Sequence, residues 1–154
     1  FSILIGSALF NVLIEATGLP AAVTAAIRDA GLSYVTVLIA IIVFYLILGC
    51  FMDSLSMMLL TLPVVFPITK QFGMDPVWFG IIVTTVVEIG LITPPIGLNL
   101  FVVQGIMPGT GQMTVIRGIL PFITADIVRV ALLASFPAIS LWLPTSLGFF
   151  TIAK

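Results

Sequence analysis

An all-α integral membrane fold is what this sequence predicts, and three observations predict it. Of 154 residues, 61% are hydrophobic and only 7% are charged, against roughly a quarter charged in a soluble domain. The apolar residues gather into runs approaching the length of a bilayer-crossing helix. Turns rich in glycine and proline, 13 and 10 in all, separate those runs. Too little charge is present to cover a water-solvated globule, and too much apolar surface for a disordered chain. A net charge of −1 with no histidine excludes nucleic acid as a partner. One cysteine excludes a disulfide framework, and with no histidine the common thiolate and imidazole metal centres are excluded too. Roughly five or six helical elements fit the length. The chain opens at Phe1 inside an apolar run, with no basic leader or small-residue cleavage site. It reads as the C-terminal part of a larger membrane protein.

Residues 1–15 predict an apolar helix, short for a full span, that stops at Gly18-Leu19-Pro20. Residues 20–33 are rich in alanine, carry Arg28 and Asp29, and begin with a proline suited to a first helical turn. Too short and mixed to span, they predict an interfacial helix. Residues 34–48 are strongly apolar and halt at Gly49-Cys50-Phe51-Met52-Asp53-Ser54. A second run over 55–68 is broken by Pro63 and Pro67 and closed by Lys70. Each arm is too short to cross comfortably. Two such arms around a polar tip predict a re-entrant hairpin over 34–70, with its tip near mid-membrane. Two thin spans with Asp53 in a surface loop fit the hydropathy equally.

Gly73-Met74-Asp75-Pro76 is a turn in which Asp75 caps the next helix and Pro76 takes its first position. That helix covers 77–92, meets Thr93-Pro94-Pro95-Ile96-Gly97, and resumes over 98–106. A turn follows at 107–112, and 119–143 predict the last span. It closes at Trp142 and Pro144, where an indole suits the headgroup region. Residues 145–154 form a tail. The basic residues are too scattered to orient the chain across the membrane.

The interrupted helix, EIGLITPPIGLN over residues 88–99, carries the chemistry. Proline lacks an N–H and clashes with the carbonyl four residues earlier. Pro94 therefore frees the Gly90 carbonyl and Pro95 that of Leu91, while Gly97 adds backbone freedom. The carbonyls of Ile92, Thr93 and Ile96 lose their helical partners if the interruption is complete. Irregular backbone at membrane depth is tolerated only when buried in protein or lining a wet cavity. Freed carbonyls at a half-helix C-terminus form a hard-oxygen site of negative potential, suited to Na⁺. The second half-helix presents N–H groups, with the Asn99 amide, to an anion. A packed proline kink is the plainer alternative.

The hairpin tip is the natural partner of this break. Gly49 can expose a carbonyl, and Ser54 and Ser56 offer hydroxyls. Asp53 is either the N-cap of the second arm, the reading favoured here, or an ionised ligand. Glu88 is an intramembrane acid that can relay protons or simply be hydrogen-bonded, and the sequence leaves both open. Asp126 and Arg129, three apart, can pair on one helix face in a structural role. Met52, Met57 and Met58 read as packing, and Cys50 as buried and inert.

The stretches GCFMDSLSMMLLTLP (49–63), FGIIVTTVVEIGLITPPIGLNLFVV (79–103) and ILPFITADIVRVALLASFPAISLWLP (119–144) resemble the large membrane (M) subunit of tripartite ATP-independent periplasmic (TRAP) transporters. The resemblance implies the second of two inverted repeats in an elevator-type, Na⁺-driven symporter of organic anions such as dicarboxylates or sialic acid. It implies a multi-pass protein of the bacterial inner membrane. Its partners would be the first repeat, a small membrane (Q) subunit and a periplasmic substrate-binding protein. Residues 34–106 would belong to the moving transport domain. The helices at 1–15 and 119–143 would be scaffold, and segments near 20–33 and 112–118 arm helices. The resemblance puts a Na⁺ site on Gly49, Gly90, Thr93 and Ile96, beside the break at Pro94, Pro95 and Gly97. Anion contacts would come from Asp53, Ser54, Ser56 and Asn99. Rival readings are a passive channel or structural subunit, and an intramembrane aspartyl protease using Asp53 and Glu88.

Overall fold

The computed structural model describes residues 2–94, 97–107 and 109–147. They form α1 (Ser2–Ala16), α2 (Leu19–Asp29), α3 (Tyr34–Gly49), α4 (Ser54–Gln71), α5 (Pro76–Ile92), α6 (Leu98–Ile106), α7 (Gln112–Ser135) and α8 (Pro137–Ser146). Local chemistry sets the boundaries. Gly18, at φ 69°, lies at the bend of 57° between α1 and α2, a conformation open to glycine at little cost. The Ser33 hydroxyl accepts the Thr36 N–H to start α3. The Asp53 carboxylate accepts the Ser56 N–H at 2.9 Å to start α4. Asp75 accepts the N–H groups of Val77 and Trp78 at 2.8 and 3.0 Å, with Pro76 opening α5. The caps expected at Asp53 and Asp75 are both present.

Two expectations need correction. The second apolar run is not broken at Pro63 and Pro67, because α4 passes through both as one helix. Pro63 has no N–H for the Leu59 carbonyl, but the Asn11 amide of α1 donates to that oxygen at 3.1 Å. The orphan is satisfied from a neighbouring helix, and α4 continues past it.

The second correction concerns residues 112–143, which are not an arm helix followed by one span over 119–143. The helix α7 starts at Gln112, takes in 112–118 and continues through Pro121 to Ser135. Pro137 then removes the donor for Leu133, whose carbonyl accepts the Trp78 indole N–H of α5 at 2.7 Å. The chain turns at Phe136 and restarts as α8. The tail over 148–154 lies outside the described residues. Among the described helices, α7 alone is long and apolar enough to cross a bilayer, and α1 with α2 qualifies only as a bent pair.

At the centre stands α5, buried except for one stripe at Pro76, Gly80, Thr84 and Glu88, the pattern of a helix packed on most of its sides. Its Trp78, Ile82, Val86 and Val87 are at most 1% exposed. The core is completed by Val37, Ile41 and Tyr45 of α3, Met57 and Val65 of α4, and Val130 of α7. A buried hydrogen bond of 2.8 Å from the Tyr45 hydroxyl to Thr61 ties α3 to α4. Even so, α3 packs chiefly on α5, while α4 leans on α2 and α1. The exterior is apolar as well, with Ile5, Leu9 and Val12 on α1, Phe122 and Val128 on α7, and Trp142 on α8 all exposed. A surface of this kind is solvated by lipid or covered by protein rather than by water.

Candidate functional site

Helix α5 ends where the prolines demand. Thr93 is its C-cap, with extended backbone at φ −84°, ψ 130°. After residues 95 and 96, Gly97 caps α6 in the left-handed region at φ 48° and sends its carbonyl to the Leu100 N–H at 2.8 Å. A Cβ there would stand 3.0 Å from the Thr93 carbonyl oxygen, so both conformation and space select glycine. The interruption expected between the half-helices is present. Pro95 and Ile96, the latter a predicted Na⁺ ligand, lie outside the described residues.

Gly90 and Gly49 meet where α5 crosses α3. A Cβ on Gly90 would come 2.8 Å from the Gly49 Cα, and one on Gly49 would come 2.9 Å from the Gly90 Cα. Side chains are excluded on both helices, so the backbones touch. The structure thus joins the hairpin tip to the helix break, two segments about 40 residues apart in sequence.

The carbonyls divide unequally, and one expectation changes. The Gly90 carbonyl is not orphaned by Pro94. It accepts the Thr93 N–H at 3.2 Å, because the last turn tightens to i→i+3 spacing when the i+4 donor is missing. The Thr93 hydroxyl donates to Ile89 O at 2.6 Å, leaving its lone pairs free. The Thr93 carbonyl takes a long contact of 3.6 Å from the Cys50 thiol, which also donates to Leu46 O at 3.3 Å. Tip N–H groups turn back to Ile47 and Leu48, so no backbone donor among the described residues reaches the Gly49 carbonyl. Carbonyl and hydroxyl oxygens without a thiolate or imidazole suit a hard monovalent cation.

The candidate anion contacts are less compact. Asp53 and Asn99 are exposed, and Ser54 and Ser56 half-buried. The carboxylate of Asp53 is engaged in capping Ser56. Helices α4 and α6 make no contact with each other among the described residues. Among the described residues, the helix that carries Ser54 and Ser56 therefore does not pack on the helix that carries Asn99.

Sequence reasoning missed three features. Tyr45 on α3 and Thr61 on α4 hold the hairpin arms together, and the signal was two polar groups inside otherwise apolar runs. Asn11 was passed over as part of a plain apolar helix, although a lone amide there needs a partner. Glu88, left open, proves to lie 3.9 Å from Arg129, which also holds Asp126 at 3.0 Å. The expected Asp126–Arg129 pair is present, and Glu88 joins it from α5.

Discontinuous helices meeting a hairpin tip define a class of membrane proteins that move small solutes. Residues 1–139 match the family model described as the tripartite ATP-independent periplasmic transporter, DctM component. The chain belongs to that family. It is 36% identical over 129 residues to the C4-dicarboxylate TRAP transporter large permease protein DctM of Vibrio cholerae, covering 84% of this chain and 28% of that protein. It is 37% identical over 147 residues to the corresponding DctM of Rhodobacter capsulatus, covering 95% of this chain and 33% of that one. It is 40% identical over 118 residues to the sialic acid TRAP transporter permease protein SiaT of Haemophilus influenzae, covering 75% of this chain and 18% of that protein. The chain thus spans a third or less of these relatives. They are transporter permeases rather than enzymes, which removes the aspartyl protease reading.

Proposed function

We propose that this chain forms part of a Na⁺-coupled symporter that takes up organic anions, carboxylates above all, handed over by a periplasmic binding protein. Residues 34–106 act as half of a moving transport domain in the elevator sense, and α1 and α7 as scaffold. The first inverted repeat and a small membrane subunit complete the machine in the bacterial inner membrane. The observation that carries this reading is the contact of Gly49 with Gly90 beside the break at Thr93. It sets the backbone of the tip against the backbone of the broken helix. Gly49, Thr93 and Ile96 would hold the ion through their carbonyls, with Gly90 offering its second lone pair. A bound cation would supply positive charge that holds the tip against the break. Asp53, Ser54, Ser56 and Asn99 would face the anion, the remaining contacts coming from the other repeat. Relatives named for C4-dicarboxylates and for sialic acid support an organic anion as substrate.

The test is Thr93→Val in the full-length permease, assembled with its partner subunits in proteoliposomes. Losing the hydroxyl that steadies this turn should raise the sodium concentration for half-maximal uptake by about tenfold. An unaltered sodium response would refute the assignment of the site. Uptake by the parent that ignores sodium altogether would point to a channel.

A further inference from the structure

Helix α5 meets its two neighbours α3 and α7 in opposite ways. Against α3 the contact is backbone on backbone, at Gly49 and Gly90. Against α7 there are gaps. A crevice of about 440 Å³ is bounded by Leu46 and Cys50 of α3, Ile89 and Thr93 of α5, and Ile123 and Ile127 of α7. A smaller void of about 90 Å³ lies among Ile42, Val86, Ile127 and Val130. Close-packed interfaces resist sliding, whereas a gapped one has room to rearrange.

Two polar links fasten α7 to α5. One is firm, the Trp78 indole N–H on the Leu133 carbonyl at 2.7 Å. The other is Arg129, which has two carboxylates at unequal range. Asp126 is 3.0 Å away on the same helix, and Glu88 is 3.9 Å away on α5. Arg129 stands about 9 Å from the end of α7 at 1.5 Å per residue. A helix of this length set symmetrically across a ~30 Å hydrocarbon layer would hold Arg129 inside it. An unpaired guanidinium there is costly. Asp126, fixed at i−3, travels with the arginine whatever α7 does. Release therefore leaves Arg129 paired, and the carboxylate set free is the more exposed one, Glu88 at 64% against 25% for Asp126.

We propose that Glu88 and Arg129 form a latch between the broken helix and α7, their charges 3.9 Å apart in this structure. Its release lets α5 shift against α7 about the Trp78–Leu133 contact and opens the crevice beside Thr93 and Cys50. The proposal rests on the transport reading only in requiring α5 and α7 to change their contact during the cycle, and it needs no bound ion.

Cys50 is a built-in reporter, 7% exposed, lining the crevice and the single cysteine of this chain. The experiment uses the full-length permease in membranes with cysteines elsewhere replaced, and follows the rate of N-ethylmaleimide labelling without sodium or substrate. Glu88→Gln and Arg129→Gln should each speed labelling about fivefold, the upper range for a partly exposed ion pair. The double variant should be no faster than either single one, because the pair is lost only once. Asp126→Asn should slow labelling, since Arg129 then turns wholly to Glu88. Arg129→Lys, which keeps the charge, should stay near the parent rate and provides a variant that folds if the neutral ones do not. Parent-like rates in both single variants, or effects that multiply in the double variant, would overturn the latch. Labelling needs neither ion nor substrate, so its failure leaves the sodium reading standing. Sodium-independent uptake would likewise leave the latch standing.

Discussion

Pro63 and Pro94 pose the same problem to two helices, and the helices answer differently. In α4 the carbonyl that Pro63 deprives, Leu59 O, accepts the Asn11 amide of α1, and the helix continues. In α5 no side chain among the described residues donates to the Gly90 carbonyl. The turn closes on itself through the Thr93 N–H, the chain extends, and Gly97 starts a new helix. Pro137 shows a third outcome, in which α7 ends but Trp78 satisfies Leu133. Proline creates the deprived carbonyl, and the neighbouring helix decides whether it is repaired. At the α5 break the Gly90 carbonyl is taken by the Thr93 N–H, so the oxygen left for another partner is that of Gly49 on the tip, which no backbone donor among the described residues reaches.

Six substitutions in four tests sharpen that contrast, taken from the largest expected effect. Replacing both Pro94 and Pro95 by alanine returns two backbone donors to the broken helix. Uptake by the full-length permease should fall by more than about tenfold while the protein still inserts. Uptake at the parent rate would mean that the break is dispensable. Gly90→Ala drives a Cβ into the Gly49 backbone at 2.8 Å, where nothing flexible can yield. A loss of about 3 kcal/mol is expected in thermal or denaturant unfolding. Asn11→Leu leaves Leu59 O buried without a donor and should cost about 2 kcal/mol. Adding Pro63→Ala should recover most of that loss by supplying an N–H from within α4. If the second change recovers nothing, Asn11 acts through something other than this repair. Asp75→Ala removes one acceptor from two N–H groups at the start of α5. About 1 kcal/mol should be lost, the smallest shift of the set.

Much of the architecture was legible because the signals are local. Hydropathy marked the membrane class, and Asp53, Asp75 and Pro76 marked helix starts through short-range hydrogen bonds. The Thr93-Pro94-Pro95 run marked the break through steric exclusion. The last span was misjudged over 119–143 because Pro121 is tolerated inside α7 while Pro137 ends it, and nothing within either local sequence distinguishes the two. The unbroken course of α4 was missed for a related reason, since its repair comes from a residue 48 positions away. The site was half legible. Gly90 was singled out for a freed carbonyl, whereas its part in the structure is to let α3 approach.

By itself the sequence determined that this protein lives in lipid, that its helices start at defined caps, and that one of them is severed at Thr93. Each of these follows from side-chain chemistry acting within a few residues. Only the tertiary structure decided which carbonyls are repaired, that Gly49 rests on Gly90, and that Glu88 reaches across to Arg129. Those outcomes depend on which helices lie side by side, and packing between distant segments sets that through close approach rather than through any local preference.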